Sequence, residues 1–535
     1  MSEQAHDSSV QEDLFPQEIA GLPDATPSSI VPLSDGEVLS LRIAPVRKTI
    51  AGAAVRMLSY NGSIPGPLLR VRQGTSVTVE VTNDADLEQT VHWHGLRLDN
   101  RFDGVPYVTQ PAIPVGGRFT YELQFPDPGL YWYHPHFRED YGQEMGLSGQ
   151  IIVDPVDPEY WPAVNREIPL TVDDVLLEHG RMPAFHRSGP THTMMGRFGT
   201  VMLVGGETDP SFDVEVGNVV RLHLTNTANT RIFNLGVGGA SLKLVGGDSG
   251  RYEREELVDS VMIAPSERAV VDLLVDRPGN LVLEQRTPDG TTSIATLVVG
   301  ERSASHSFAD AFAKLRTDPE LGVERAALAT HLDRAPDKHL TLVGSMDMGD
   351  MDMGDMDMGG TDMGGTDMGG TDASRTEHHD MPGHHAAGAD AGDGLEWTDT
   401  MPEMNVMSDR SNMRWELVDA ATGASNQDIS WRFHVGDRVK IRLDNAAGSD
   451  HEMHHPFHVH GAGRFLVLAR GGVPEPNLVW KDTVLVRAGQ IVDVLLEVTN
   501  PGRWMAHCHI AEHNESGMMF SFDVLPEPRT TKVLP

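Results

Sequence analysis

Only one cysteine, Cys508, stands in 535 residues. A disulfide framework within the chain is therefore excluded. The thiol is left as a metal ligand, a nucleophile or an inert buried group. Positive charge is also scarce: 42 Lys and Arg face 78 Asp and Glu, for a net charge of -36. Nucleic-acid binding needs clustered basic side chains, so nucleic acid is not an expected partner. The acidity favours solubility and draws cations to the surface. No apolar run reaches the roughly 18–20 residues that a membrane-spanning helix needs. Residues 1–30 are polar, acidic and Pro-containing, and show no apolar core of a signal peptide.

Short alternating segments bounded by turns are plentiful, as in Ser76-Val77-Thr78-Val79-Glu80-Val81. This is the pattern of half-buried strands. The chain also repeats itself. Three segments run from a glycine through an alternating strand to an asparagine: Gly74 to Asn83, Gly217 to Asn226, and Gly436 to Asn445. A Pro-Gly turn follows each one, at Pro128-Gly129, Pro278-Gly279 and Pro501-Gly502, and feeds a further strand. Three homologous β-sandwiches explain this economically, so the expected fold class is all-β. The pattern suggests an acidic N-terminal tail over 1–36 and sandwiches over 37–155, 156–300 and 338–535. A connector with a short helix fills 301–337. The third unit carries a low-complexity insert, 346–394, rich in Met, Asp, Gly and His. Such a segment cannot bury a core and is expected to be disordered.

The repeats differ in histidine. After the Pro-Gly turn the first copy reads His134-Pro135-His136, the second Glu284-Gln285-Arg286, and the third His507-Cys508-His509. Earlier in each unit, the first has His92-Trp93-His94-Gly95 and the third has His458-Val459-His460-Gly461. The second has no such pair near Phe233-Asn234-Leu235-Gly236 and reads as a spacer. Side chains two apart on a strand share a face. Eight imidazoles, four from each outer unit, would converge if those units pack together. Eight ligands are too many for one ion and suit three metal ions with open positions. Cys508 points the other way. With His455, His513 and Met518 it forms the two-histidine, one-cysteine, weak-methionine set of a blue-copper electron-transfer site. The plainer alternatives are a buried structural cysteine and a core methionine.

These four motifs, HWHG at 92, HPH at 134, HPFHVHG at 455 and HCHIAEHNESGM at 507, resemble the copper signatures of three-domain multicopper oxidases. That family includes laccases and bacterial cuprous oxidases. The resemblance implies three cupredoxin-like Greek-key domains and four copper ions. It implies type 1 copper on His455, Cys508, His513 and Met518, and type 2 copper on His92 and His458. The type 3 pair would lie on His94, His134, His136, His460, His507 and His509. It further implies dioxygen as acceptor, Cu(I) or phenolic and aromatic molecules as donors, and a periplasmic or extracellular location. Asp103 matches a family acid near the cluster and is the candidate proton donor or hydrogen-bond anchor. Cuprous oxidases tend to carry a glutamate right after the last type 1 histidine; here that position is Asn514, followed by Glu515. Met453 resembles a substrate-copper ligand, although His451 stands where an acid is expected. Nine methionines between 346 and 381 offer soft sulfur, which prefers Cu(I). A laccase proper is the near alternative. A copper-storage protein is the distant one, because storage needs no oxygen site.

Overall fold

The computed structural model describes residues 13–347, 393–445 and 448–527. Most of the insert expected to be disordered, 348–392, lies outside the described residues. The described residues form six sheets arranged as three successive two-sheet sandwiches. Each sandwich has its own apolar core, with Trp93, Tyr121 and Tyr133 in the first, Phe233 and Leu273 in the second, and Trp415, Trp504 and Phe520 in the third.

The repeated strand has the same neighbours each time. Ser76–Asn83, Val219–Asn226 and Arg438–Asp444 each lie parallel to the opening strand of their unit: Val38–Ile50, Arg166–Val175 and Lys338–Met346. On the other edge each pairs antiparallel, with Arg118–Gln124, Arg268–Leu274 and Ile491–Val498. The asparagine that ends each repeat explains its own recurrence. Asn83, Asn226 and Asn445 are buried, and each side-chain amide donates to main-chain carbonyls further along its unit: Leu87 and Ile113, Arg231 and Ile263, and Met453, Val486 and Arg487. One short polar side chain thus satisfies carbonyls in loops and at strand ends where the sheet ladder stops.

Part of the expected tail is not a tail. Ile30–Leu33 forms a strand parallel to Leu68–Arg72. Further upstream, Phe15 is buried and stacks on Tyr141 at 4.0 Å. The first sandwich left an edge that the apolar Ile30-Val31-Pro32-Leu33 run could pair with, and average polarity hid this. The connector holds two helices, Ala309–Ala313 and Pro319–Leu332. The second is capped by Asp318, and its Leu321 and Leu328 pack on Leu466, Leu468 and Leu495 of the third unit.

Candidate metal centre

Strand register sets the geometry. His92–His94 pairs antiparallel with Gly129–His134, which puts His92 opposite His134. His455–Val459 pairs antiparallel with Gly502–Cys508, which puts His458 opposite His507 and Phe457 opposite Cys508. The histidine face of each pair turns toward the other unit. His92 and His460 ring centres are 4.1 Å apart, and those of His94 and His458 are 3.8 Å apart. All eight imidazoles meet in this seam, and all eight are buried.

Their hydrogen bonds test whether metal ions fit. One nitrogen of most rings is anchored. His92 Nδ1–H donates to the Asp103 carbonyl at 2.6 Å, His134 Nδ1–H to Pro135 O at 2.8 Å, and His458 Nδ1–H to Asp482 O at 2.9 Å. His507 Nδ1–H donates to Cys508 O at 2.8 Å, and His460 Nδ1–H to Asp103 Oδ2 at 2.8 Å. His94 is turned around, with Nε2–H donating to Asp482 Oδ1 at 2.9 Å. The opposite nitrogens, Nε2 of His92, His134 and His458 and Nδ1 of His94, are buried with no hydrogen-bond partner among the described residues. The Nε2 atoms of His136 and His507 lie 3.2 and 3.1 Å from His460 Nε2. Burial pushes every one of these rings below the ordinary histidine range. They are held neutral with lone pairs aimed at common points, which is the state in which imidazole binds metal. Three overlapping triads result: His92, His458 and His460; His92, His94 and His134; His136, His460 and His507.

A second donor set lies on the other face of the Cys508 strand. Cys508 Sγ is 3.4 Å from His455 Nδ1 and 3.7 Å from His513 Nδ1. The three form one compact buried group. Met518 is buried in the same core, and its carbonyl accepts from the Cys508 N–H at 3.1 Å. Burial raises the Cys508 thiol far above its usual range, and the Ile510 N–H only partly opposes this. A thiol held protonated is a poor nucleophile, whereas a bound soft cation would make it the thiolate.

Several site residues were not visible in the sequence. Asp482 accepts from His94 with its carboxylate and from His458 with its carbonyl. A faint signal exists: Asp482-Thr483-Val484 repeats Asp259-Ser260-Val261 of the second unit. Glu139 Oε1 lies 3.1 Å from His136 Nδ1, and burial pushes this carboxyl up. Trp415 stacks on His513 at 4.1 Å and meets His455 edge-on at 5.0 Å. Glu515 faces the first unit, with its Oε1 accepting from the Glu139 N–H at 3.0 Å. Met453 is buried in the third core.

Three cupredoxin-like sandwiches, a buried Cys-His-His group and an eight-histidine seam define a copper oxidoreductase that uses dioxygen. Residues 43–158 and 397–528 match the sequence profiles of multicopper oxidases, so the chain carries two domains of that family. It is 25% identical over 514 residues to multicopper oxidase MmcO of Mycobacterium tuberculosis, covering 90% of this chain and 86% of that one. Its fold is similar to a Campylobacter jejuni multicopper oxidase described as a metallo-oxidase, with a TM-score of 0.66, 20% identity, and 96% and 99% of the two chains covered. It is also similar to a laccase-like multicopper oxidase of Ochrobactrum sp. described as active towards lignin model compounds, with a TM-score of 0.65, 21% identity, and 94% and 100% covered. The family binds four copper ions, and the donor sets fit them. Among the described residues, no helix is long and apolar enough to cross a membrane.

Proposed function

We propose that this enzyme oxidises Cu(I), and also phenolic and aromatic molecules, at a mononuclear copper site and supports copper tolerance outside the cytoplasm. The observation that carries the oxidase reading is the two-faced strand at Cys508, with one donor set on each side. His455, Cys508, His513 and Met518 would hold type 1 copper. His92 and His458 would hold type 2 copper, and His94, His134, His136, His460, His507 and His509 the type 3 pair. Copper bound there supplies one-electron acceptance on one face and four-electron reduction of dioxygen to two waters on the other.

The chain's own residues do the rest. Cys508 shares its backbone with His507 and His509, so the two donor sets are joined by covalent bonds. Trp415, packed on both His455 and His513, holds those rings in place and excludes water. Asp103 fixes the His460 tautomer through Oδ2. Burial, opposed by His92, pushes its carboxyl to about 6, and its Oδ1 has no hydrogen-bond partner. That oxygen is placed to carry a proton beside the cluster. Glu139 offers a second buried acid, against His136. It supplies a carboxyl near where the sequence has Asn514.

The donor assignment rests on soft sulfur. Methionine favours Cu(I), and Met453 and His451 lie just before His455, where a Cu(I) substrate would approach. Four Cu(I), four protons and one dioxygen balance against four Cu(II) and two waters. Oxygen uptake by the copper-loaded protein, with a Cys508→Ser control, tests the class; no uptake by fully loaded protein sinks it. Removing residues 348–392 is expected to slow Cu(I) oxidation more than oxidation of a bulky phenol. Equal effects on both would favour a laccase proper.

A further inference from the structure

We propose that Arg268, from the histidine-free second sandwich, is a positioning residue for the histidine cluster, holding Asp482 so that Asp482 can orient His94 and His458. The proposal rests on the reading of that cluster as a copper site.

Arg268 begins the strand Arg268–Leu274 and is fully buried where the three sandwiches meet. Its guanidinium touches all three. Nε–H donates to Leu130 O of the first unit at 2.8 Å, and Nη1–H to Ser266 O of the second at 3.0 Å. Nη1–H and Nη2–H grip the Asp482 carboxylate of the third at 2.7 and 2.6 Å. A planar fork matched to a carboxylate fixes direction as well as distance, which an ammonium cannot do.

Asp482 passes that direction on. Its Oδ1 also accepts from His94 Nε2–H at 2.9 Å and from Thr483 Oγ–H at 2.9 Å. Its main-chain oxygen accepts from His458 Nδ1–H at 2.9 Å. One residue therefore sets a ring from the first unit and a ring from the third. His94 depends on it most, because this bond selects Nε2 as the anchored nitrogen and leaves Nδ1 facing the cluster. The backbone makes room for the pair. A Cβ at Gly95 would lie 2.5 Å from Asp482 Oδ2 and 2.7 Å from Arg268 Nη2. The glycine of His92-Trp93-His94-Gly95 thus lets an ion pair from two other sandwiches sit against the histidine strand.

The second sandwich is then part of the site. Groups that orient metal-binding histidines are worth about 10–100-fold in metal affinity or activity. The test compares wild-type holoenzyme with Arg268→Met, Arg268→Lys and Arg221→Met. Arg221 makes an equally buried, bidentate pair with Asp272 at 2.8 and 2.9 Å inside the second unit, away from the cluster. Copper per chain, the visible absorption of the Cys508 site, the type 2 paramagnetic signal and the thermal midpoint are measured for each. Arg268→Met is expected to hold cluster copper about 10–100-fold more weakly while keeping the Cys508 absorption. Arg268→Lys, which keeps the charge without the fork and is the milder change, should shift the type 2 signal. Arg221→Met should lower the midpoint and keep all its copper. Cluster loading and signals unchanged in both Arg268 variants would overturn the proposal, as would equal copper loss in Arg221→Met. Wild-type protein that never binds cluster copper would overturn the oxidase reading, and this one with it.

Discussion

Replacing Gly95 by alanine puts a methyl group where two charged side chains already sit. The backbone there has φ +85°, a left-handed conformation that costs an L-residue about 1–2 kcal/mol. The added carbon would stand 2.5 Å from Asp482 Oδ2, 2.7 Å from Arg268 Nη2 and 3.0 Å from Tyr131 Cδ1. Comfortable contact begins near ~3.5 Å, so both charged groups must retreat by about 1 Å. Neither is free to do so, because Asp482 also holds His94 and Arg268 also holds Leu130. Overpacking of this kind costs about 1–3 kcal/mol. Gly74 isolates that contribution: its φ is +86° in the same sandwich, and a Cβ there would meet nothing within 4 Å. Gly74→Ala should therefore show the conformational cost alone, and Gly95→Ala about 1–3 kcal/mol more. At roughly 1 °C per kcal/mol for a cooperative unit of this length, calorimetry on the copper-free variants should separate their midpoints by about 1–3 °C. Equal midpoints would refute the crowding argument.

Three other outcomes are expected. Trp415→Leu removes the ring stacked on His513 and an indole N–H that donates to Thr193 O at 2.6 Å. It should cost about 2–4 kcal/mol and shift the visible absorption of the Cys508 site, and an unchanged spectrum would count against Trp415 as a support for that site. Burial and the neighbouring Asp174 push Asp173 up to about 7. The folded state thus binds a proton that the unfolded state releases above about 3.9, so stability falls as pH rises from about 4 to 7. Asp173→Asn should gain ~1–3 kcal/mol at pH 8 and little at pH 4, and a gain independent of pH would contradict this. Chelating the copper should lower the thermal midpoint, and titrating it back should raise the midpoint with free copper, by about 2.7 kcal/mol of stabilisation at a hundredfold excess over Kd. A midpoint indifferent to copper would mean that the histidine seam binds none.

The histidine pairs were legible because a strand has period two and the chain repeats itself, so position and facing could both be read from spacing. Of their orienting partners, Asp103 was reached through the family resemblance and Asp482 was not. Asp482 lies 388 residues from His94 and Asp103 lies 357 from His460, and only the packing of separate sandwiches brings them together. Arg268 was obscured further by standing in a unit without ligands. The strand Ile30–Leu33 was missed for a different reason. Its pairing depends on an open edge at Leu68–Arg72, a property of the partner rather than of the segment.

The separation of the two donor sets follows from parity. On Gly502–Cys508 and just beyond it, 507 and 509 are odd and 508 is even. On His455–Val459 the spacing is three, so His455 and His458 also fall on opposite faces. Two adjacent strands therefore each send side chains to both sets, and the Phe457–Cys508 and His458–His507 pairings lock them in step. A one-residue slip between these strands would bring His455 and Cys508 out of register together with His458 and His507. Neither donor set can be lost by slippage without the other. The ladder that fixes the path between them is the same one that builds both, which is why a single register in the third sandwich suffices to couple two kinds of chemistry.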